Sequence, residues 1–532
     1  MDGNTVAKIG PLSRLIIRQD RIRIPIWLIG LIFFTLVVPA SFSDLYGTDE
    51  QREGLAETMQ NPAMTAMVGP GDLDNYTLGV MTAHQMLLMT AAVVGLMSIL
   101  LVIRHTRTEE EDGRIEMIRA LPTGRLSNLN ATLVVISGTN LVLALISGYG
   151  LYALGLESLN LEGSLLYGAI LGATGLVFAG VAALFAQLSE SSRGAVGLSI
   201  AVLLITYLIR AIGDVSNQTL SMLSPLGWIP QAEVYSDNHW WPVLSMIGLA
   251  IILYAVANYL NAIRDLGQGF LPSKPGKKYA SRFLQTPIGL ALRLQRTGII
   301  SWAIGMLVLG ISYGSVLGDL DSFFEGNEMM EQMLAQQEGY TIIEQFIPML
   351  MIVMVLLATI PPLMAINKLY GEEKKGRIDH LLGRAVSRTR LMGSYLVIAI
   401  VNGFVMVSLT AIGLWSAGTA VVEGGMEFGS IYGAAMIYLP AVLVLIGIAV
   451  CLIGFLPRLT SIIWMYLLYS FIVLYLGGLF QFPDWIGKLT PFGYVPQIPI
   501  EQFDVLPVIV LIVLAVVLMV LGLIGYNRRD IA

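Results

Sequence analysis

The chain is 532 residues long, 55% apolar and only 13% charged, and its apolar residues come in long runs. That composition excludes a soluble enzyme and defines an integral membrane protein. The net charge of −6 offers no basic surface to a nucleic acid, and the one cysteine, Cys451, lies inside an apolar run without a partner, so no disulfide informs on compartment.

At the N-terminus, Val6, Ile9, Leu12 and Ile16 fall at helical spacing opposite Lys8, Arg14 and Arg18, which predicts an interfacial helix. The run near 25–43 is the first of twelve that reach the roughly 20 residues a membrane span needs. The others lie near 83–104, 129–153, 163–187, 194–213 and 241–262, then 299–318, 346–367, 391–417, 430–454, 460–481 and 505–526. Arg18, Arg21 and Arg23 before the first run fit a cleaved signal peptide loosely. Its internal counterpart around Trp302 argues for retention. A second interfacial helix is expected before the seventh span, from Leu284, Ile288 and Leu292 with Arg282, Arg293 and Arg296. Membrane anchoring and the passing of movement to each half both account for these helices.

The loops at 44–82 and 319–345 carry Met59, Met64, Met67, Met329, Met330 and Met333. Such thioethers suit an exit surface for greasy compounds; without His or Cys they do not suit copper.

A charged motif closes the second and the eighth span: Glu109-Glu110-Glu111-Asp112-Gly113-Arg114-Ile115-Glu116 and Glu372-Glu373-Lys374-Lys375-Gly376-Arg377-Ile378-Asp379. Other matches keep nearly the same spacing of about 265 residues. Ser224-Pro225-Leu226-Gly227-Trp228-Ile229-Pro230-Gln231 returns as Thr490-Pro491-Phe492-Gly493-Tyr494-Val495-Pro496-Gln497, Arg264-Asp265 as Arg529-Asp530, and Arg193 as Arg458. Trp27 and Gly30 match Trp302 and Gly305. The predicted fold is therefore an all-α polytopic membrane protein of twelve transmembrane helices in two parallel six-helix repeats, 1–272 and 280–532, with a linker at 273–279. An even number of spans per repeat gives both copies the same topology.

With both termini inside, every Lys and Arg falls on the cytoplasmic side except Arg52, Arg210 and Lys488. Several chemistries are excluded. No G-x-x-x-x-G-K-[ST] loop is present to cradle a nucleotide. His84, His105, His239 and His380 lie on separate segments without metal-ligand spacing, so no metal site is expected. No nucleophile has a plausible base, so no catalytic residue is assigned.

The repeated motif reads as a short surface helix entered through a glycine turn. Its acids suit basic residues of a soluble partner, and Ile115, Met117 and Ile118, or Ile378, Leu381 and Leu382, supply an apolar face. A solvated loop that sets topology is the plainer reading, but topology needs only Lys and Arg, and the acids need another reason to be there. The paired proline and glycine segments read either as re-entrant turns or as aromatic anchors built on Trp228 and Tyr494. Arg210, near the outer end of the fifth span, has Asp214 one turn on. Structural pairing and contact with an acidic substrate both fit.

Six spans per half, an E-E-x-x-G-x-[IL]-[ED]-x-[LI] segment after the second, a P-x-G-x-x-P-Q element before the sixth and a terminal Arg528-Arg529-Asp530 resemble the exporter-type permeases of ATP-binding-cassette transporters. More closely, the fused form resembles bacterial polyketide-antibiotic (tetronasin-type) exporter permeases. The resemblance implies a permease of the bacterial inner membrane, with both termini cytoplasmic, that exports a hydrophobic or amphipathic small molecule. It implies two copies of a separate ATPase, with ATP and Mg bound there and no cofactor in this chain. Residues 109–120 and 372–384 would be coupling helices, with Glu109, Glu110, Glu111, Gly113, Arg114, Glu116, Glu372, Glu373, Gly376, Arg377 and Asp379 at the contact. Pro225, Gly227, Trp228, Pro230, Pro491, Gly493, Tyr494 and Pro496 would close the outer end of the pathway. Two other function classes stand beside it: an ion-gradient-driven transporter, against which the spans show no midplane acids or interrupted helices, and a membrane sensor or scaffold.

Overall fold

Twelve helices among the described residues are long and apolar enough to cross a membrane: Arg23–Ser43, Leu78–Glu111, Ser127–Ala153, Leu161–Leu188, Ser192–Ser216, Trp241–Ile263, Pro287–Val316, Ile343–Glu373, Arg388–Val421, Phe428–Phe455, Pro457–Tyr475 and Val505–Arg528. They are the twelve spans that the apolar runs predict. The computed structural model describes residues 5–60, 62–156, 158–271, 278–319, 342–383, 386–422, 424–475, 483–498, 500–501 and 504–530. Most of the linker (272–277) and the second methionine loop, with Met329, Met330 and Met333, lie outside them. No strand occurs among the described residues; Ser189 and Leu271 form an isolated bridge.

Helices follow from the solvent, because lipid gives a backbone amide no partner and each span must satisfy its own. Side chains close several of their ends. Asn160, Ser191, Thr286, Ser387 and Asp504 each accept a backbone N–H in the first turn of the fourth, fifth, seventh, ninth and twelfth spans.

The chain divides into two compact units, Met1–Gly276 and Lys277–Ala532. The six spans of each unit are buried to matching degrees. In order, 17, 67, 50, 78, 28 and 22% of an 18-residue apolar stretch of each span is buried in the first unit, and 17, 72, 56, 67, 28 and 28% in the second. The second, third and fourth spans of a unit thus form its core, while the first, fifth and sixth present most of their apolar surface outward. Pairings agree. In the first unit the fourth span packs on the second, third and sixth, and the first on the third; in the second unit the seventh packs on the ninth, and the tenth on the eighth, ninth and twelfth.

Three features differ from the sequence reading. The interfacial helix Ile9–Gln19 forms before the first span and buries Leu12 and Ile16, but Ile288 and Leu292 belong to the continuous helix Pro287–Val316 of the seventh span. The second span winds through two π-turns, Ala83–Leu87 and Arg104–Thr108, and carries Glu109–Glu111 as its own tip. Two spans are interrupted. The eighth breaks at Thr359 between Ile342–Ala358 and Ile360–Glu373, and the tenth between Phe428–Met436 and Leu439–Phe455. Pro361 and Pro362 have no N–H, so the carbonyls of Leu357 and Ala358 lose their helical partners there; Pro440 does the same to Met436.

A buried asparagine of the ninth span is left without a partner among the described residues. Asn140, in the third span, donates to Ser98 Oγ at 3.0 Å and to the Ile136 carbonyl at 3.0 Å. At the same repeat position the ninth span has Gly403, and the neighbouring Asn402 is buried with neither amide atom bonded. Pro361 stands where Ser98 would be. A polar pair inside a membrane protein contributes on the order of 1 kcal/mol. Asn140→Leu is therefore expected to lower the melting temperature of the purified protein, whereas Asn402→Leu leaves it unchanged or raises it; equal losses for both would contradict the assignment.

Candidate functional site

The duplicated motif builds the same device in each unit from the tip of a buried span, a left-handed glycine and a short helix. In the first unit Arg264, just past the sixth span, donates from Nη1 to Glu110 Oε1 at 2.9 Å and from Nη2 to Oε2 at 2.7 Å. The Gly267 amide adds a bond of 2.6 Å. Arg107, itself buried, lies 3.2 Å from Glu110 and donates to the carbonyls of Glu190, Gly267 and Gln268. One clamp thus fastens the end of the second span to the turn after the fourth and the segment after the sixth.

In the second unit Arg529, just past the twelfth span, sits 2.6 Å from both oxygens of Glu373. Glu372 takes Lys368 at 3.0 Å and Arg377 at 3.2 Å. Arg388, at the start of the ninth span, donates to the carbonyls of Asn527 and Arg529. The two clamp acids are 9% and 7% exposed as side chains. Carboxylates so far from water persist as charges only when paired and hydrogen-bonded. This departs from the expectation that the acids project towards a soluble partner: Glu109, Glu110, Glu372 and Glu373 are turned inward.

Beyond the clamps the chain reverses at Gly113 (φ 73°) and Gly376 (φ 65°), a backbone region that favours glycine. The helices Arg114–Arg119 and Asp379–Leu382 follow. Ile115 and Ile378 are buried as their anchors. Ile118 packs on Leu12, Ile16, Ala131 and Val135, so this helix rests on the interfacial helix; Leu381 and Leu382 pack on the core of the second unit. The outward surface is formed by Glu111, Asp112, Arg114, Glu116 and Met117 in one unit and by Lys374, Lys375, Arg377, Asp379 and His380 in the other. Glu111 accepts from the Ser192 hydroxyl. Arg384, at the end of the expected second segment, lies outside the described residues.

Sequence reasoning missed Asp20. It is fully buried and takes His105 Nε2 at 2.5 Å, Arg104 at 3.2 Å and Arg23 at 3.5 Å. His105 Nδ1 reaches Glu109 at 3.4 Å. The interfacial helix is thereby wired to the motif. The only sequence signal was an acid among four basic residues.

On the opposite face, Pro225–Trp228, Pro230–Ala232 and Pro491–Tyr494 are short 3₁₀ turns. A Cβ on Gly227 would lie 2.0 Å from the Ser221 carbonyl, and one on Gly493 2.2 Å from the Gly487 carbonyl, so each turn folds against the segment before it. Ser224 donates to Thr206 of the fifth span, and Trp228 to the Met222 carbonyl. In the second unit Tyr466 and Tyr469 of the eleventh span donate to Leu489 and Ile486. Pro496 is buried, Trp228 half-buried and Tyr494 exposed. Arg210 and Asp214 form a buried pair at 3.1 Å. The guanidinium also holds the Ala66 and Met67 carbonyls, and Ser221 donates to the carboxylate. Glu233, Asp237 and His239, which lie within one seven-residue stretch that the sequence reading passed over, bring ligand atoms within 4.8 Å of one another at the surface.

Two six-span units with shared internal wiring define a duplicated polytopic membrane protein. A family model described as multidrug efflux system permease Rv1217c, C-terminal domain, matches residues 10–260 and 284–527, one stretch in each half. Multidrug efflux system permease protein Rv1217c of Mycobacterium tuberculosis is 34% identical over 527 residues, 98% of this chain and 94% of that protein. The chain belongs to this family of multidrug efflux permeases.

Removing one partner of a buried ion pair costs about 3–5 kcal/mol, because the other is left charged and unpaired. Glu110→Ala and Arg264→Ala should each destabilise the purified protein strongly, and the double variant by clearly less than their sum. Additive losses in thermal or denaturant melting would contradict the clamp. The pair Glu373 and Arg529 should behave alike.

Proposed function

We propose that the chain is the membrane-spanning permease of an ATP-driven exporter that moves hydrophobic or amphipathic small molecules out of the cell, with a separate ATPase subunit seated on each motif. The observation that carries this is the repetition of one clamped surface piece at the end of the second span of each half. A docking helix can pass force to a span only if it cannot swing freely, and each is held by a buried clamp and an isoleucine anchor. Hydrolysis of ATP, with its Mg, belongs to the partner. The printed name of the mycobacterial relative supports drugs as substrates; the narrower likeness to tetronasin-type exporters rests on the motifs alone. The distribution of basic residues supports a motif face in the cytoplasm of a bacterium, with the multi-pass chain in its cell membrane. The 3₁₀ turns of the opposite face, with Pro225, Gly227, Trp228, Pro230, Pro491, Gly493, Tyr494 and Pro496, would then close the outer end. The buried geometry of Arg210 and Asp214 favours a structural role that holds the outer loop.

Docking belongs to the exposed residues of each piece, and their charges differ: Glu111 and Asp112 in one half, Lys374 and Lys375 in the other. The two seats are therefore unequal. A second reading, transport driven by an ion gradient, is favoured by the break at Thr359 near the centre of the eighth span, since interrupted helices form ion sites in such proteins.

One experiment separates the two. The tagged permease is co-purified with a candidate partner ATPase, comparing wild type with Glu116→Lys/Met117→Asp and with Lys375→Glu/Asp379→Lys, and drug export from vesicles is followed with ATP or with an imposed ion gradient. Each double substitution is expected to cut ATPase recovery severalfold and to slow ATP-dependent export without lowering the melting temperature. Export that follows the gradient and ignores ATP would overturn the reading.

A further inference from the structure

We propose that a hollow at the entrance to the first span binds the phosphate headgroup of an anionic phospholipid. The hollow has a volume of about 660 Å³ and is lined by Arg18, Gln19, Arg21, Ile22, Arg23 and Arg104. Four arginines thus line one concavity, three from the junction of the interfacial helix with the first span and one from the tip of the second. Asp20 is the acid beside them, and its charge is already shared by His105, Arg104 and Arg23. Arg18 and Arg21 have no ion pair among the described residues and are exposed.

The surroundings fix the class of anion. The first span has only 17% of an 18-residue apolar stretch buried, so most of its apolar surface is open to lipid, and Ile22, Ile26 and Ile29 are more than 60% exposed just beside the arginines. The cations therefore sit where the hydrocarbon ends, at headgroup depth, next to a surface that acyl chains would cover. Guanidinium groups suit phosphate oxygens because their paired N–H donors match them geometrically. Basic pockets between spans bind anionic lipid headgroups by this chemistry, and each cation near the surface strengthens attraction by about fivefold in affinity.

The second half supplies the contrast. At the repeat positions it keeps Arg293 and Arg296, but Gln295 replaces Asp20, Gly298 replaces Arg23 and Asn367 replaces Arg104. Gln295 Nε2 and both amide atoms of Asn367 are buried without partners. The ion network that gathers the arginines is thus absent from that half. Lipid held in the first half would fix the interfacial helix, on which the helix Arg114–Arg119 rests through Ile118.

The full chain, purified in detergent, would be titrated with phosphatidylglycerol and with phosphatidylcholine and read by native mass spectrometry. Wild type is compared with Arg18→Gln/Arg21→Gln and, as an internal control, with Arg293→Gln/Arg296→Gln. Wild type should retain phosphatidylglycerol over phosphatidylcholine. The first pair should weaken that retention by about fivefold for each arginine, with the melting temperature of lipid-free protein unchanged, and the control pair should leave it intact. Inorganic phosphate should not displace the lipid. Equal retention of both lipids, equal losses in both pairs, or displacement by inorganic phosphate would each overturn the proposal.

Discussion

A carboxylate at the tip of a buried membrane span cannot stand alone, and most of this architecture follows from how the chain answers that constraint. Glu110 and Glu373 are each met by an arginine that closes the sixth span of the same half. The pairing forces the ends of the second and sixth spans together and fixes the direction in which the chain leaves the membrane. Gly113 and Gly376 then turn it back, and Ile115 and Ile378 sink the short helix that follows. The result is a surface piece stiff enough to move with its span, which a docking device requires.

Duplication kept that device and let its surroundings diverge. Asp20, His105 and Arg104 form an ion network in the first half, where the second has Gln295, Lys368 and Asn367. Asn140 is satisfied by Ser98, where the second half has Gly403 and Pro361 at the matching positions. The exposed charges of the two motifs are opposite in sign. The first half is the more tightly wired on the motif face, and the second contains the interrupted spans. Such a division suits a machine whose halves share one mechanical coupling but different side-chain chemistry within it.

Much of this was legible in the sequence. Apolar runs marked the twelve spans because lipid leaves so little choice of backbone structure. The repeat was legible from matched motifs, and Arg210 with Asp214 from their one-turn spacing. The partner of Glu110 was not, because Arg264 is 154 residues away and nothing local links them. A signal existed, since acid and arginine both recur at nearly the same spacing. It was read as repetition and not as contact, so the acids were expected to face outward. Asp20 was hidden among topology-setting arginines. The break at Pro361-Pro362 was written plainly but lost in a run apolar enough to pass as one helix.

The central claim is that each clamp stiffens the surface helix of its own half. Hydrogen exchange of the amides in 111–120 and 374–383 tests it most directly, in wild type, Arg264→Gln and Arg529→Gln protein held in nanodiscs. The account predicts that Arg264→Gln speeds exchange in 111–120 and leaves 374–383 unchanged, with the reverse for Arg529→Gln. Unchanged exchange in both segments would show that the clamps do not hold these helices and would contradict the account.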